Sequence, residues 1–158
     1  MNKENLILKQ SFNESKKHFL RLNKAADNIK SFMPLKQDRF LILNDDEIAF
    51  IDQFIFRFSK LQDALGNKLF KAVLLFLGED LTNKSFIDIF NRLEQLGIIS
   101  DYDLWSELRK LRNELAHDYE DDPKETSEKI NKVFDKKDIL EKFFIDIERF
   151  LIGRGIDF

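Results

Sequence analysis

The segment WSELRKLRNELAHDY at 105–119 gathers the side chains of this chain best suited to chemistry. His117 stands near the end of a helical pattern, where orphan carbonyls and solvent keep an imidazole titratable near neutral pH. Arg112 precedes it, and a planar guanidinium suits a phosphate or the charge that develops on a phosphoryl oxygen. A histidine that moves protons and an arginine that holds phosphate make a minimal metal-free phosphodiesterase. In such an enzyme His117 would move the protons and Arg112 would stabilise the crowded phosphorane charge.

At about 100° per residue, Leu104, Leu108, Leu111 and Leu115 cluster within about 60° of arc and form the buried stripe of this helix. Asn113 and His117 fall nearly opposite, one turn apart, so His117 is not a core histidine. Arg112 and Tyr119 lie on one flank, with Arg109 and Ala116 between Arg112 and Asn113. Arg112 and His117 are about 140° apart on the wheel, too wide for one copy to converge on one phosphate. Two copies facing each other across a two-fold axis would bring both pairs into one cleft, so a homodimer with a composite site is expected. The bland alternative is a solvated helix face with i,i+4 pairing. Asn113 has two readings, as a group that orients the imidazole or touches phosphate and as a hydrogen-bonder at the dimer interface.

Other candidates are weaker. His18, between Lys17 and Phe19, has no acidic or Arg partner at suitable spacing and reads as a surface or rim histidine. Arg57 and Asp63 could contact RNA, but a salt bridge within a bundle is the simpler reading. Phe50, Phe54, Phe56 and Phe58 point to several faces of one helix and read as core and interface filler, not a stacking platform. The acidic run at 120–122 reads as a solvated turn. With no Cys and two His, thiolate chemistry and histidine-rich zinc sites are excluded, and neither metal nor cofactor is expected. A net charge of −3 argues against a general nucleic-acid coating protein, though it allows a local basic patch.

The elements that must carry this segment are helices. Charged residues make up 35% of the 158 residues, with 5 Gly, 2 Pro and 17 Phe, a composition of long helices with polar outer faces around an ample core. Leu8, Phe12, Ser15, Phe19, Leu22, Ala26, Ile29 and Met33 alternate spacings of four and three, predicting a long first helix that ends before Pro34. Residues 34–43 break that register. Asn44 with Glu47 reads as a capping box, and Ile51, Phe54, Phe58, Leu61, Leu65, Leu69, Ala72 and Phe76 continue a second seam to Gly78. Gly66 inside it predicts a close backbone contact or a kink. Phe86, Ile89, Phe90, Leu93 and Leu96 form a short helix stopped by Gly97, and Ser100 with Asp103 starts the motif helix, about 101–119. After Pro123, Ile130, Val133, Leu140, Phe144, Ile147 and Leu151 give a last seam, and the closing GRGIDF is expected to fray. The expected fold is all-α, a single domain over 1–158 built as an up-and-down bundle of four to five helices. With no apolar run near the membrane-spanning length and no leader pattern, a soluble, unprocessed cytoplasmic protein is expected.

Arg112-Asn113-Glu114-Leu115-Ala116-His117-Asp118-Tyr119 matches the R-x4-H-x-Y form of the HEPN superfamily motif, with Asn directly after Arg. Together with FRFSKLQDALGNKLF at 56–70, FIDIFNRLEQLGII at 86–99 and the approach from Trp105 to Leu111, the chain resembles HepT toxins paired with MNT nucleotidyltransferase antitoxins over roughly residues 45–120. The resemblance implies a HEPN-like bundle and a metal-independent endoribonuclease acting on tRNA or messenger RNA until an antitoxin neutralises it. It also implies Tyr119 as the residue to which the partner would attach AMP. The competing expectations are a non-catalytic HEPN module that binds a nucleotide or a nucleotidyltransferase, and a plain helical adaptor.

Overall fold

The computed structural model describes residues 2–115 and 122–158, and every regular element within them is helical. Helix α1 spans Lys3–Ile29, opened by the Asn2 side chain, which accepts from the Asn5 amide at 2.8 Å. Its seam is buried at Leu8, Phe12, Ser15, Leu22, Ala26 and Ile29, as the four-three spacing predicts. A 3-10 turn at Lys30–Phe32 leads to the break at Pro34. Within the register break lies a short helix the periodicity does not reveal, α2, Gln37–Leu41. A residue far along the chain ties its approach: the Leu35 amide donates to Asn131 Oδ1 at 2.6 Å, and Asn131 Nδ2 donates to the Leu35 carbonyl at 2.7 Å.

Helix α3 (Asp45–Ala64) begins with the Asn44–Glu47 capping box, passes through a π-helical segment at Leu65–Leu69 and continues as α4 (Phe70–Phe76). Helix α5 (Phe86–Gln95) carries a second capping box, Ser85 with Asp88, and stops where Gly97 adopts a φ of 73°. Helix α6 spans Tyr102–Leu115. Its cap differs from the expected Ser100–Asp103 pair, because Asp101 Oδ1 accepts from the Leu104 amide at 3.1 Å. Helix α7 (Pro123–Gly153) starts at Asp122, whose carboxylate accepts from the Lys124 and Glu125 amides.

One contiguous apolar core runs through the long helices. Phe54 and Phe58 from α3, Phe90 from α5, Trp105 from α6 and Phe144 from α7 are fully buried, each such side chain stabilising the fold by about 1.5–3 kcal/mol. This is an all-α helical bundle, with α6 held between the α3–α4 rod and α7. The closing residues do not fray as expected. The Ile156 amide donates to the Leu151 carbonyl at 2.9 Å, and the Phe158 ring lies 5.7 Å from that of Phe12.

Candidate functional site

Helix α6 presents its polar residues as the wheel predicts. Leu108 and Leu111 are buried, Leu104 and Leu115 half-buried, Arg109 and Asn113 exposed, and Arg112 sits on the flank between core and solvent. There the guanidinium is gripped by Asp63 on the last turn of α3. Arg112 Nε and Nη2 donate to the two carboxylate oxygens at 2.9 Å each, with Arg112 29% and Asp63 32% exposed. The bond to Asp63 raises the guanidinium pKa above its ordinary value, against the smaller effect of desolvation. A guanidinium has five N–H groups. Two face Asp63, and among the described residues Nη1 and the second Nη2 hydrogen are left for an anion. Asp63 is therefore a bundle salt-bridge partner, and its target is the candidate catalytic arginine, a pairing that spacing along the sequence does not signal.

His117 and Tyr119 lie outside the described residues. The structure brings Arg112 together with Asp63 and leaves Asn113 exposed one position further on.

About two turns back along α6, at Trp105, the helix meets the π-helical segment of the long rod. A Cβ on Gly66 would lie 2.9 Å from Trp105 Cζ2, so the glycine permits a backbone approach that no other residue allows without movement. This is the close contact predicted at Gly66. Trp105 is fully buried, packed edge-on to Phe143 at 5.2 Å and tilted against Phe70 at 4.9 Å, and among the described residues its indole N–H has no hydrogen-bond partner. Above this contact opens a cleft of about 590 Å³, lined on one side by Asn67 and Lys71 and on the other by Ser106 and Arg109. Tyr102 and Phe86 complete its apolar wall, with Lys84 at the edge.

His18 is not the isolated rim histidine expected. Its Nδ1 lies 3.0 Å from Arg57 Nη1, and Glu14 approaches its Nε2 at 3.9 Å. Burial first, then the Arg57 charge, pushes its pKa below the usual histidine value. The phenylalanines of α3 divide as expected of filler, with Phe54 and Phe58 buried and Phe50 and Phe56 exposed.

Among the described residues, no three His, Asp or Glu side chains gather to hold a metal ion, and no helix is long and apolar enough to cross a membrane. No family model, curated protein or solved structure matches this chain.

Proposed function

We propose that this chain is a metal-independent endoribonuclease of the toxin kind, acting in the cytoplasm as a homodimer, with Arg112 and His117 as its catalytic pair and Asn113 in support. The observation that supports this reading best is the Asp63 clamp. It holds Arg112 at the surface in one orientation, five positions before His117, with N–H groups left for a phosphate. Asp63 is on this reading a positioning residue. It makes no contact with the substrate and acts by fixing the guanidinium plane. A cognate nucleotidyltransferase that attaches AMP to Tyr119 would silence the enzyme, because the added phosphate would compete for Arg112.

Purified protein incubated with total RNA in EDTA tests the reading. Wild type should leave 2′,3′-cyclic phosphate ends, and His117→Ala or Arg112→Ala should lose about 10²–10⁴-fold in rate. Asp63→Asn should lower the rate constant while leaving RNA affinity nearly unchanged, with partial rescue by Asp63→Glu. Equal cleavage by wild type and His117→Ala, or cleavage that returns only with added magnesium, would refute it. Light scattering should give a dimer at micromolar concentration; a monomer that still cleaves would remove the composite site.

A further inference from the structure

The cleft between the α3–α4 rod and α6 has an unusual charge composition for a protein of net charge −3. Its cations come from three separate elements: Lys71 from α4, Lys84 from the loop before α5, and Arg109 from α6. Among the described residues, no carboxylate lines it. Among the described residues, Lys71 and Arg109 make no ion pair, whereas most neighbouring cations do: Lys68 with Glu14, Arg92 with Glu79, and Arg112 with Asp63. Lys84 also makes none, though its charge reaches Asp80 and Asp88 on the adjoining surface. Cations gathered around a concavity raise the local concentration of anions even on an acidic protein.

The rest of the lining narrows the chemistry. Asn67 and Ser106 supply neutral donors and acceptors, and the half-buried rings of Phe86 and Tyr102 offer an apolar wall beside them. The floor is rigid, because Gly66 lies directly against the buried Trp105 ring. A volume of about 590 Å³ falls within the range of small-ligand sites. Inorganic phosphate would use the cations and leave the rings idle, and an apolar ligand would do the reverse.

We propose that this cleft binds a nucleotide unit, its phosphate held by Lys71, Lys84 and Arg109 and its base laid against Phe86 and Tyr102. The shared chemistry is a phosphate joined to a flat ring, which both a free nucleotide and one unit of a single strand present. The proposal does not depend on nuclease activity, since it concerns binding alone.

Isothermal titration calorimetry with adenosine monophosphate, inorganic phosphate and a 2′-O-methyl hexanucleotide tests it, with none of these ligands open to 2′-OH cleavage. The indole N–H resonance of Trp105, the only tryptophan, locates the event. Adenosine monophosphate should bind saturably and shift that resonance, and inorganic phosphate should bind at least tenfold more weakly. The exposed-site variants Lys71→Gln, Lys84→Gln and Arg109→Gln, combined, should weaken nucleotide binding tenfold or more and flatten its salt dependence. Tighter binding of the hexanucleotide would identify the cleft as a subsite for a strand, and equal or weaker binding a site for the free nucleotide. No binding by either ligand, phosphate binding as well as the nucleotide, an unmoved Trp105 resonance, or a triple variant that binds like wild type would overturn the proposal. Loss of RNA cleavage in His117→Ala bears on the catalytic pair and not on this cleft, so the two readings fail separately.

Discussion

Replacing Gly66 with Ala probes the contact on which the α3–α4 rod and α6 are registered. The new methyl carbon would stand 2.9 Å from Trp105 Cζ2, whereas carbon atoms pack best at about 3.5–4.0 Å, so one partner must move by roughly 0.6 Å or more. The ring has little room to yield. It is wholly buried, with Phe70, Phe143, Phe86 and Phe90 at centroid distances of 4.9, 5.2, 6.0 and 6.5 Å. Overpacking of this kind costs about 1–3 kcal/mol. Ala gains up to about 1 kcal/mol over Gly in a helix interior, which leaves a net loss of about 1 kcal/mol. With a urea m-value of about 1–3 kcal/mol/M, the midpoint should fall by about 0.3–1 M in melts followed by far-UV circular dichroism. Trp105→Phe removes the clashing atom. In that background Gly66→Ala should be neutral or stabilising, giving a coupling of at least about 0.5 kcal/mol between the two sites. A Gly66→Ala protein more stable than wild type with Trp105 in place would refute the reasoning, since helix propensity alone would then account for the position.

Two further outcomes follow from the packing. Because the folded-state pKa of His18 lies below its ordinary value of 6.5, the unfolded chain binds more protons just below that pH. Stability should therefore fall as pH drops from about 6.5 toward the folded-state value, and His18→Gln should flatten that slope in denaturation curves recorded between about pH 5 and 7. Deletion of residues 156–158 removes the half-buried Ile156 and the Phe158 ring against Phe12, and should cost about 1–2 kcal/mol, lowering the thermal midpoint by about 2–8 °C; an unchanged midpoint would mean the tail contributes nothing.

The seams of α1, the α3–α4 rod and α7 are legible in the sequence because a buried helical face must repeat every three or four residues. The capping box at Asn44 and the stop at Gly97 are legible for a similar reason, since each is a local arrangement set by backbone geometry. What local patterns cannot carry is the pairing of distant side chains. Arg112 and Asp63 are 49 positions apart, His18 and Arg57 39, and Leu35 and Asn131 96. The first makes a candidate catalytic arginine part of the bundle, the second gives His18 its partner, and the third steadies the approach to α2. The π-helical segment is hidden for another reason. Leu61, Leu65 and Leu69 follow one another by fours, and an undistorted helix tolerates one such three-four-four stretch at about 3.67 residues per turn. Only the approach of Trp105 to Gly66 marks the departure. Arg112 and Asn113 lie where the wheel puts them, on the flank and the exposed face of α6.

The π-helical segment ties the clamp and the cleft to one another. Asp63 precedes it by two positions, Gly66 lies within it, and Lys71 follows it on α4. Opposite, running antiparallel along α6, come Arg112 facing Asp63, then Arg109, then Trp105 facing Gly66. An extra residue in a helical turn rotates everything on its far side relative to everything before it, and such bulges are frequent at functional sites. Without it, Asp63 and Lys71 could not keep their present directions together. Either the carboxylate would turn away from Arg112 or the lysine away from Arg109 and the cleft. The glycine at the bulge lets the two helices close far enough for both to be met by one partner helix. A geometry that costs helix regularity at one turn, against the favoured i→i−4 pattern, thus sets the Asp63–Arg112 clamp on one side of that turn and the Lys71 side of the cleft on the other. Gly66→Ala, which presses on this turn, should therefore disturb the Asp63–Arg112 pair on one side of it and the lining of the cleft on the other.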